Sequence, residues 1–372
     1  MEFWSSLGYQ GYLLVLLGTL FCVHLFLIIG RGRTLVSKKK FIITGSQEGV
    51  SVILTCANKA EFLEKNLEAF LTQDYPEYEV IVVDECSEDE TQDVLSEFQK
   101  KYPHLKTSRI FPETKFRRTK KIAINIGVLA ARYDILLFSE IHDIPESDEW
   151  VKTMASYFAP DTAVVIGYSN YAAEGEKNNV KRYFRFLWFW KTVTLLKKGI
   201  YVTGNGNNMG YRKKYYLERR GFSGNTQEYI GYDTQMVCEL SRKGKVKAVK
   251  EPKARVVMEE QSKKTWKDDF SYYYATKRRW SVPARMCSSA DFFIETGFYL
   301  LAFYFVIFTS LYKYVAVGII LTFLIDFIVI NVCLRHLGLR KLFLTSFTVN
   351  TFGFIYKWYY SIYSIFTAKK WR

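Results

Sequence analysis

The chain has 372 residues, which is room for one α/β domain of about 250 residues together with membrane anchors. Its formal net charge of +15 is compatible with binding nucleic acid, anionic lipid or phosphorylated substrates. Because several apolar runs have membrane length, lipid and diphosphate are the expected partners and nucleic acid is not. The six cysteines include no C-x-x-C pair, so reduced thiols in a cytosolic domain are expected.

Residues 1–30 are predicted to form an N-terminal transmembrane anchor. The apolar run over residues 12–29 is close to the roughly 20 residues that cross a bilayer as a helix. A cleaved signal peptide is the alternative, but the chain starts Met-Glu-Phe-Trp, without a basic region, and Arg31 and Arg33 follow the run. Residues 31–50 are then expected to be a basic linker.

Residues 291–372 are predicted to form a C-terminal membrane region. The segments 292–311 and 315–334 are long and apolar enough to span a bilayer. The positive-inside rule places the basic stretches 31–40, 277–285 and 335–341 on the cytoplasmic side. Polar residues dilute the last segment, 342–366. A re-entrant or interfacial helix is expected there, and a further full span is the alternative.

The soluble part alternates strand-like and helix-like segments. This order predicts a doubly wound α/β sheet with right-handed crossovers. Two of its apolar runs end in acids, at Asp84 and Glu85 and again between Glu140 and Asp143. Ligands of open α/β sheets bind where the carboxyl ends of such strands open outward. The predicted strands are 52–55, 80–83 and 135–138, and the predicted helices are 61–72, 91–102 and 121–131.

Residues 180–199 combine large aromatic side chains with lysines and arginines. Aromatic and cationic side chains both favour the headgroup layer of a membrane, so a helix lying in the interface is predicted. Burial of the aromatic rings against the sheet is the alternative.

Several segments, taken in order, resemble family 2 glycosyltransferases. Residues 83–91, Val-Asp-Glu-Cys-Ser-Glu-Asp-Glu-Thr, resemble the family's "VDDxSxDgT", and residues 120–127 are similar to its "GKKxALNxGI" helix. Residues 138–145, with Trp150 after them, resemble "TDADCxPxxxWL". Residues 207–212 and 231–234 resemble "NMAYR" and "EDTDL" on the acceptor side.

The resemblance implies a GT-A fold, Rossmann-like, with a mixed twisted sheet and helices on both faces. This domain would cover residues 51–290, flanked by transmembrane helices. Residues 51–145 would form the nucleotide-sugar half, and residues 146–290 the acceptor half with interfacial helices. A UDP- or GDP-sugar donor and a divalent metal, Mn²⁺ or Mg²⁺, are implied with it.

The resemblance also implies which residues bind the donor. Asp84 would hydrogen-bond the base or ribose of the nucleotide, and a turn or helix-capping role is its alternative. The other implied donor-binding residues are Thr55, Glu85, Lys120 and Glu140.

The family's metal-binding Asp-x-Asp falls on Glu140 and His142. Residues i and i+2 of an extended segment face the same way, so both side chains could reach one ion. An imidazole ligand moves the preference from Mg²⁺ toward Mn²⁺ or another transition ion. Two alternatives stay open: His142 hydrogen-bonds its neighbours only, or Asp143 replaces one ligand.

Asp233 falls where the family places its catalytic base, although Tyr232 replaces the preceding Glu. A solvated surface carboxylate is the alternative for Asp233. On the acceptor and diphosphate side the resemblance implies Asn208, and Arg279 and Trp280 match the family's "QxxRW". Thr276 stands at the Gln position, which favours single addition over processive synthesis. A basic pre-membrane anchor is the alternative for residues 277–279.

These patterns together predict a membrane-anchored, inverting glycosyltransferase of the hexosyltransferase type, with its catalytic domain on the cytoplasmic side of the plasma (inner) membrane. A nucleotide sugar would be the donor, and a lipid-linked saccharide or another glycan precursor would be the acceptor, as in polysaccharide biosynthesis. The alternatives are a catalytically inactive membrane scaffold with the same fold and a processive polysaccharide synthase.

Overall fold

The computed structural model describes residues 8–37, 48–111, 119–173, 178–224, 231–260 and 264–367. The chain divides into two compact units. One consists of Met1–Lys38 and Val282–Tyr360, and the other of Lys39–Ser281 and Ser361–Arg372. Most of the predicted basic linker, residues 38–47, lies outside the described residues.

The larger unit contains a seven-stranded mixed sheet in the order β3-β2-β1-β4-β8-β6-β9 and a three-stranded sheet in the order β5-β10-β7. Strands β1 to β4 of the large sheet are parallel, and β8 runs antiparallel to both of its neighbours. The strands are β1 (Val50–Cys56), β2 (Tyr78–Asp84), β3 (Leu105–Arg109), β4 (Ile135–Phe138), β5 (Asp143–Pro145), β6 (Thr162–Ile166), β7 (Ser169–Tyr171), β8 (Met209–Arg212), β9 (Lys245–Ala248) and β10 (Val256–Met258).

Helices cover both faces of the large sheet, because its central strands are apolar on both sides. Val52 and Leu54 pack into one hydrophobic cluster, whereas Ile53 packs into a second one on the other face. Such double burial suits parallel strands. The helices of this unit are α2 (Ala60–Leu71), α3 (Thr91–Lys101), α4 (Lys120–Ala130), α5 (Trp150–Ala155), α6 (Asn179–Leu196), α7 (Lys213–Glu218), α8 (Tyr232–Leu240) and α9 (Thr265–Thr276), with 3₁₀ turns at Pro252–Ala254 and Lys277–Arg279.

The predicted GT-A-like α/β architecture is confirmed, and each predicted strand and helix of the first half lies within two residues of its observed bounds. The structure also places Asp84 and Glu140 at the same edge of the sheet. Asp84 is the last residue of β2, and Glu140 follows the end of β4. Strands β1, β2 and β4 are adjacent and parallel, so their carboxyl ends meet there.

The aromatic side chains of helix α6 do not lie where the prediction of an interfacial helix over residues 180–199 expected them. Tyr183, Phe184 and Phe186 are at most 1% exposed, and Trp190 is 2% exposed. Phe184 contacts Phe270 of α9, with the ring centroids 4.8 Å apart. Packing within the domain therefore accounts for these aromatic residues, as the alternative interpretation held.

The smaller unit is built from long helices. Helices α1 (Tyr9–Val36), α10 (Val282–Phe308) and α11 (Tyr312–His336) are candidate membrane spans by length and composition. Buried polar groups link them, since the ring of His24 in α1 lies 3.0 Å from the carboxylate of Asp326 in α11. Helix α12 (Phe343–Thr367), which belongs to this unit as far as Tyr360, is continuous and is not among the candidate spans; its placement as a re-entrant or interfacial helix stays a prediction.

Gly127 allows α4 to approach the sheet closely. A Cβ atom at this position would lie 2.6 Å from Cγ2 of Ile53 in β1. We predict that Gly127→Ala destabilises the protein by about 1–3 kcal/mol through overpacking, measured as a lower denaturation midpoint in detergent. Gly18→Ala is the control, because nothing lies within 4 Å of the added methyl group there. Equal stability of the two variants would contradict this packing account.

Candidate active site

Four of the predicted donor residues converge where β1, β2 and β4 end. The Thr55 hydroxyl donates to the Glu85 carboxylate, and burial together with the nearby Glu140 raises the pKa of Glu85 despite the opposing charge of Lys120. The Lys120 ammonium, at the start of α4, forms an ion pair with Glu140. Tyr232 donates a hydrogen bond of 2.9 Å to the same oxygen of Glu140. We call Thr55, Glu85, Lys120 and Glu140 the donor cluster.

Glu140 is buried, with 9% of its surface exposed. Burial alone would raise the pKa of this carboxyl group, but Lys120, His142 and Tyr232 together outweigh burial and hold the pKa below its usual value. The donor cluster therefore contains an ionised carboxylate that the protein already neutralises with a cation.

Asp84 has a different environment. It is fully buried, and its Oδ1 accepts a 2.9 Å hydrogen bond from the backbone N–H of Ser87 and a second from the Ser87 hydroxyl. Its Oδ2 accepts from Gln92 and lies 3.5 Å from Nε of Arg109. Oδ1 is thus used within the β2–α3 turn and Oδ2 by α3 and β3, which supports the structural role that was the alternative for Asp84.

Residues 140–143 form a turn rather than an extended segment, because the N–H of Asp143 donates to the carbonyl of Glu140 at 3.0 Å. The argument that residues i and i+2 face the same way therefore does not apply to Glu140 and His142. Instead, Nε2 of His142 lies 3.5 Å from Oδ1 of Asp143. Burial lowers the pKa of His142 to about 4, so its imidazole is neutral at physiological pH.

The chemistry of this turn fits a divalent cation. Oδ1 of Asp143 is buried and has no hydrogen-bond partner, and a neutral imidazole beside it is a competent ligand. Among the described residues, no group of three or more His, Cys, Asp or Glu side chains is placed to hold an ion. Mg²⁺ in nucleotide enzymes, however, is commonly held by one or two carboxylates and the substrate phosphates. The residues of this turn could therefore hold a divalent cation only if a donor diphosphate supplied further ligands.

A cavity of about 440 Å³ lies next to the donor cluster and reaches His142 and Tyr232 at one end. Its wall is formed by α6, α9, the start of α8 and the 203–207 loop. The polar side chains in this wall include Asp233, Asp268, Asp269 and Arg185, and the aromatic ones include Trp188 and Tyr272.

Asp233 is in the first turn of α8 and is 5% exposed. Its Oδ1 accepts hydrogen bonds from the Thr234 N–H at 2.7 Å and from the Tyr272 hydroxyl at 2.8 Å. Among the described residues, the contact of its Oδ2 is a long one, 3.4 Å from the N of Gly206. This carboxylate is therefore an oriented group at a cavity wall and not a solvated surface acid.

Three predicted acceptor-side residues lie outside the cavity lining. Asn208 is fully buried and donates to the carbonyls of Tyr168 and Ala254 at 2.9 and 2.7 Å. Its Oδ1 accepts from Trp150 Nε1, so Asn208 joins segments of the fold and corrects the binding role that was predicted for it. Trp280 is 3% exposed and packs edge-on against Tyr273, whereas Arg279 lies against Gly231, at the N-cap of α8.

The sequence reasoning missed Tyr272 and Arg185. Tyr272 holds the candidate base, and Arg185 lies 3.1 Å from Asp269 in the cavity wall. Both come from helices that the sequence shows only as aromatic and basic stretches. The sequence did mark Tyr232 as unusual, because this residue replaces the Glu that precedes the base in the family's "EDTDL" pattern.

A mixed sheet that gathers acids at the carboxyl ends of β2 and β4, with a second half that brings a carboxylate to a neighbouring cavity, defines the GT-A class of glycosyltransferase folds. Residues 51–220 match the family model described as "Glycosyl transferase family 2". These residues of the chain therefore form a family 2 glycosyltransferase domain.

Two curated relatives show similarity over part of the chain. "Dolichyl N-acetyl-alpha-D-glucosaminyl phosphate 3-beta-D-2,3-diacetamido-2,3-dideoxy-beta-D-glucuronosyltransferase" from Methanococcus voltae is 29% identical over 199 residues, which cover 51% of this chain and 54% of the relative. "Poly-beta-1,6-N-acetyl-D-glucosamine synthase" from Staphylococcus epidermidis is 29% identical over 101 residues, 27% of this chain and 23% of that protein. The matches thus span about half and about a quarter of these relatives.

A solved structure resembles nearly the whole chain. It is "Mannosyltransferase PcManGT from Pyrobaculum calidifontis in complex with GDP-Man and Mn2+", with a TM-score of 0.58 at 16% identity. The similarity covers 96% of this chain and 98% of that chain. At this identity the resemblance shows the fold.

Proposed function

We propose that this protein transfers a sugar from a nucleoside-diphosphate sugar to a membrane-held saccharide, with inversion at the anomeric carbon. One observation carries the proposal: a single cavity is lined by His142 and Tyr232, next to the donor cluster, and by the oriented carboxylate of Asp233. A donor and an acceptor hydroxyl could therefore meet within one cavity.

In this mechanism Asp233 is the general base. Because Thr234 and Tyr272 occupy its Oδ1, the remaining Oδ2 is the oxygen that accepts the proton from the attacking hydroxyl. Since the proposal includes one base and no protein nucleophile, the hydroxyl displaces the diphosphate directly, which inverts the configuration. Lys120 supplies positive charge where negative charge develops on the leaving diphosphate.

Glu140 and His142, with Asp143 as a substitute for either, would hold a divalent ion. When bound, such an ion neutralises charge on the leaving diphosphate. The neutral His142 and the unpartnered oxygen of Asp143 support this assignment. GDP-mannose and Mn²⁺ in the Pyrobaculum structure support a nucleotide sugar and a metal here.

The acceptor is proposed to be lipid-linked or part of another membrane-held glycan. The name of the Methanococcus relative includes a dolichyl-linked saccharide. Three helices of this chain have the length and composition of membrane spans. Thr276 lines the cavity where processive members would place a glutamine, so we propose a single addition.

The metal assignment predicts distinct results for substitutions in the 140–143 turn. His142→Ala should weaken Mn²⁺-dependent nucleotide-sugar binding, measured by calorimetry. His142→Asp should retain binding and shift the preference toward Mg²⁺, because an oxygen ligand replaces nitrogen. His104→Ala is the control, since its Nε2 contacts the carbonyl of Leu71 outside the site. Unchanged metal dependence in both His142 variants would overturn the role of His142 and direct the test to Asp143→Asn.

The assignment of the base predicts that Asp233→Asn lowers the transfer rate by about 10²–10⁴, because the amide cannot accept the proton. Nucleotide-sugar affinity should stay near that of the wild type. Normal transfer by this variant would place the base elsewhere.

Tyr272→Phe tests how the base is held. Removing a donor that stabilises the charged carboxylate should move the acid limb of the pH–rate profile to higher pH. Tyr232, Asp269 and Cys238 also face Asp233 and are unchanged in this variant. Tyr216→Phe is the matched control, because its buried hydroxyl donates to Asn125 instead. An identical shift in both variants would show a general structural effect.

We also propose that the catalytic domain faces the cytoplasm. The basic stretches 31–40 and 277–285 flank the candidate spans at the points where the chain enters and leaves this domain. In a background without the native cysteines, Lys100→Cys on α3 should resist a membrane-impermeant maleimide until cells are opened. Lys313→Cys, between α10 and α11, should be labelled in intact cells. The reverse pattern would overturn the topology.

A further inference from the structure

The cavity beside Asp233 has an excess of acidic groups. Among the described residues that line it, Arg185 is the cation, and its Nη1 lies 3.1 Å from Oδ1 of Asp269. Nη2 of Arg185 also donates to the Ser169 hydroxyl and to Oδ1 of Asn205. The guanidinium is therefore compensated by Asp269 and used by its neighbours, so it is not available to a ligand anion.

Asp268 lies in the same wall and differs from Asp269. Asp268 is exposed, and within the described part of the chain its carboxylate has no hydrogen-bond or ion-pair partner. Asp233 and Asp268 thus give the described lining an uncompensated negative charge.

Another part of the wall is aromatic. Trp188 of α6 and Tyr273 of α9 stack with their ring centroids 4.1 Å apart and their planes 7° from parallel. Tyr168, Phe189 and Tyr272 extend this surface. Flat rings can pack against the C–H faces of a sugar, while carboxylates accept charge-assisted hydrogen bonds from its hydroxyls.

On the basis of the proposed function, we infer that the group that enters this cavity as acceptor is an uncharged sugar ring of a lipid-linked saccharide, and not the phosphate of a polyprenyl phosphate. Asp268 would accept hydrogen bonds from hydroxyls of that ring and so determine acceptor specificity.

The chemistry of the step agrees with a hydroxyl acceptor. The hydroxyl oxygen forms the bond to the anomeric carbon, the bond from that carbon to the donor diphosphate breaks, and its electron pair leaves with the diphosphate. The hydroxyl proton passes to Oδ2 of Asp233. A phosphate acceptor would have no need of this base, and its charge would lie beside two carboxylates.

The test uses the full-length protein in nanodiscs with a nucleotide sugar that it turns over. Two acceptors are compared by mass spectrometry: a synthetic polyprenyl phosphate, and the same lipid carrying a neutral hexose or N-acetylhexosamine through a diphosphate. Sugar addition to the saccharide-bearing lipid alone is the expected result. Addition to the polyprenyl phosphate would overturn the inference and the saccharide acceptor, and would leave the proposed glycosyl transfer from a nucleotide sugar intact. Absence of transfer to either acceptor would overturn both.

Asp268→Asn provides the second arm. It should raise the acceptor KM about tenfold, the effect of weakening hydrogen bonds to a charged group, while nucleotide-sugar affinity and kcat stay near wild type. Asp93→Asn, an exposed acid in the first turn of α3, is the matched control and should change neither. An unchanged acceptor KM in Asp268→Asn would remove Asp268 from acceptor recognition.

Discussion

The buried carboxylate of Glu140 is the constraint on which the site depends. An ionised carboxylate is costly to bury without a partner, and here the Lys120 ammonium and the Tyr232 hydroxyl both bind the same oxygen. These partners come from α4 and α8, whereas Glu140 follows β4. One ion-pair network therefore joins the nucleotide half of the domain to the helix that carries Asp233.

That connection also explains the local backbone. Gly206 must lack a side chain because a Cβ atom there would overlap the Tyr232 hydroxyl, and a Cβ at Gly204 would lie 2.7 Å from the backbone of Asp233. The 203–207 loop can thus lie directly against the start of α8. The same loop supplies the N–H of Gly206 near Oδ2 of Asp233 and the side chain of Asn207, which donates to Asp143 at 2.8 Å. Asp233, the 140–143 turn and the donor cluster are therefore connected through this loop and Tyr232.

Much of this domain could be predicted from the sequence, because its first half follows simple patterns. Runs such as residues 80–83 are buried on both faces, and the helices between them are amphipathic, so burial and periodicity agree. The later strands escape such reasoning. Strand β9 is Lys-Val-Lys-Ala at the edge of the sheet, and β5, β7 and β10 have three residues each. Their pairing is decided by tertiary contacts that no local pattern records.

The candidate site was likewise predictable from the sequence only in part. The donor cluster was predictable because its members follow strands or begin a helix within recognisable motifs. Asn208 was assigned to binding, yet its buried amide is used by Trp150, Tyr168 and Ala254. A motif records which residue is present but not whether the fold or the ligand uses it. Tyr272 lies 39 positions after Asp233, so only the structure reveals that its hydroxyl donates to the Asp233 carboxylate.

The most direct test of the account is an experimental structure of the full chain with a non-hydrolysable nucleotide sugar and Mn²⁺. The account predicts the diphosphate beside Lys120 and His142, and the anomeric carbon in the cavity facing Oδ2 of Asp233. A nucleotide bound with its sugar directed away from α8, or with Asp233 separated from the anomeric carbon by protein, would contradict it.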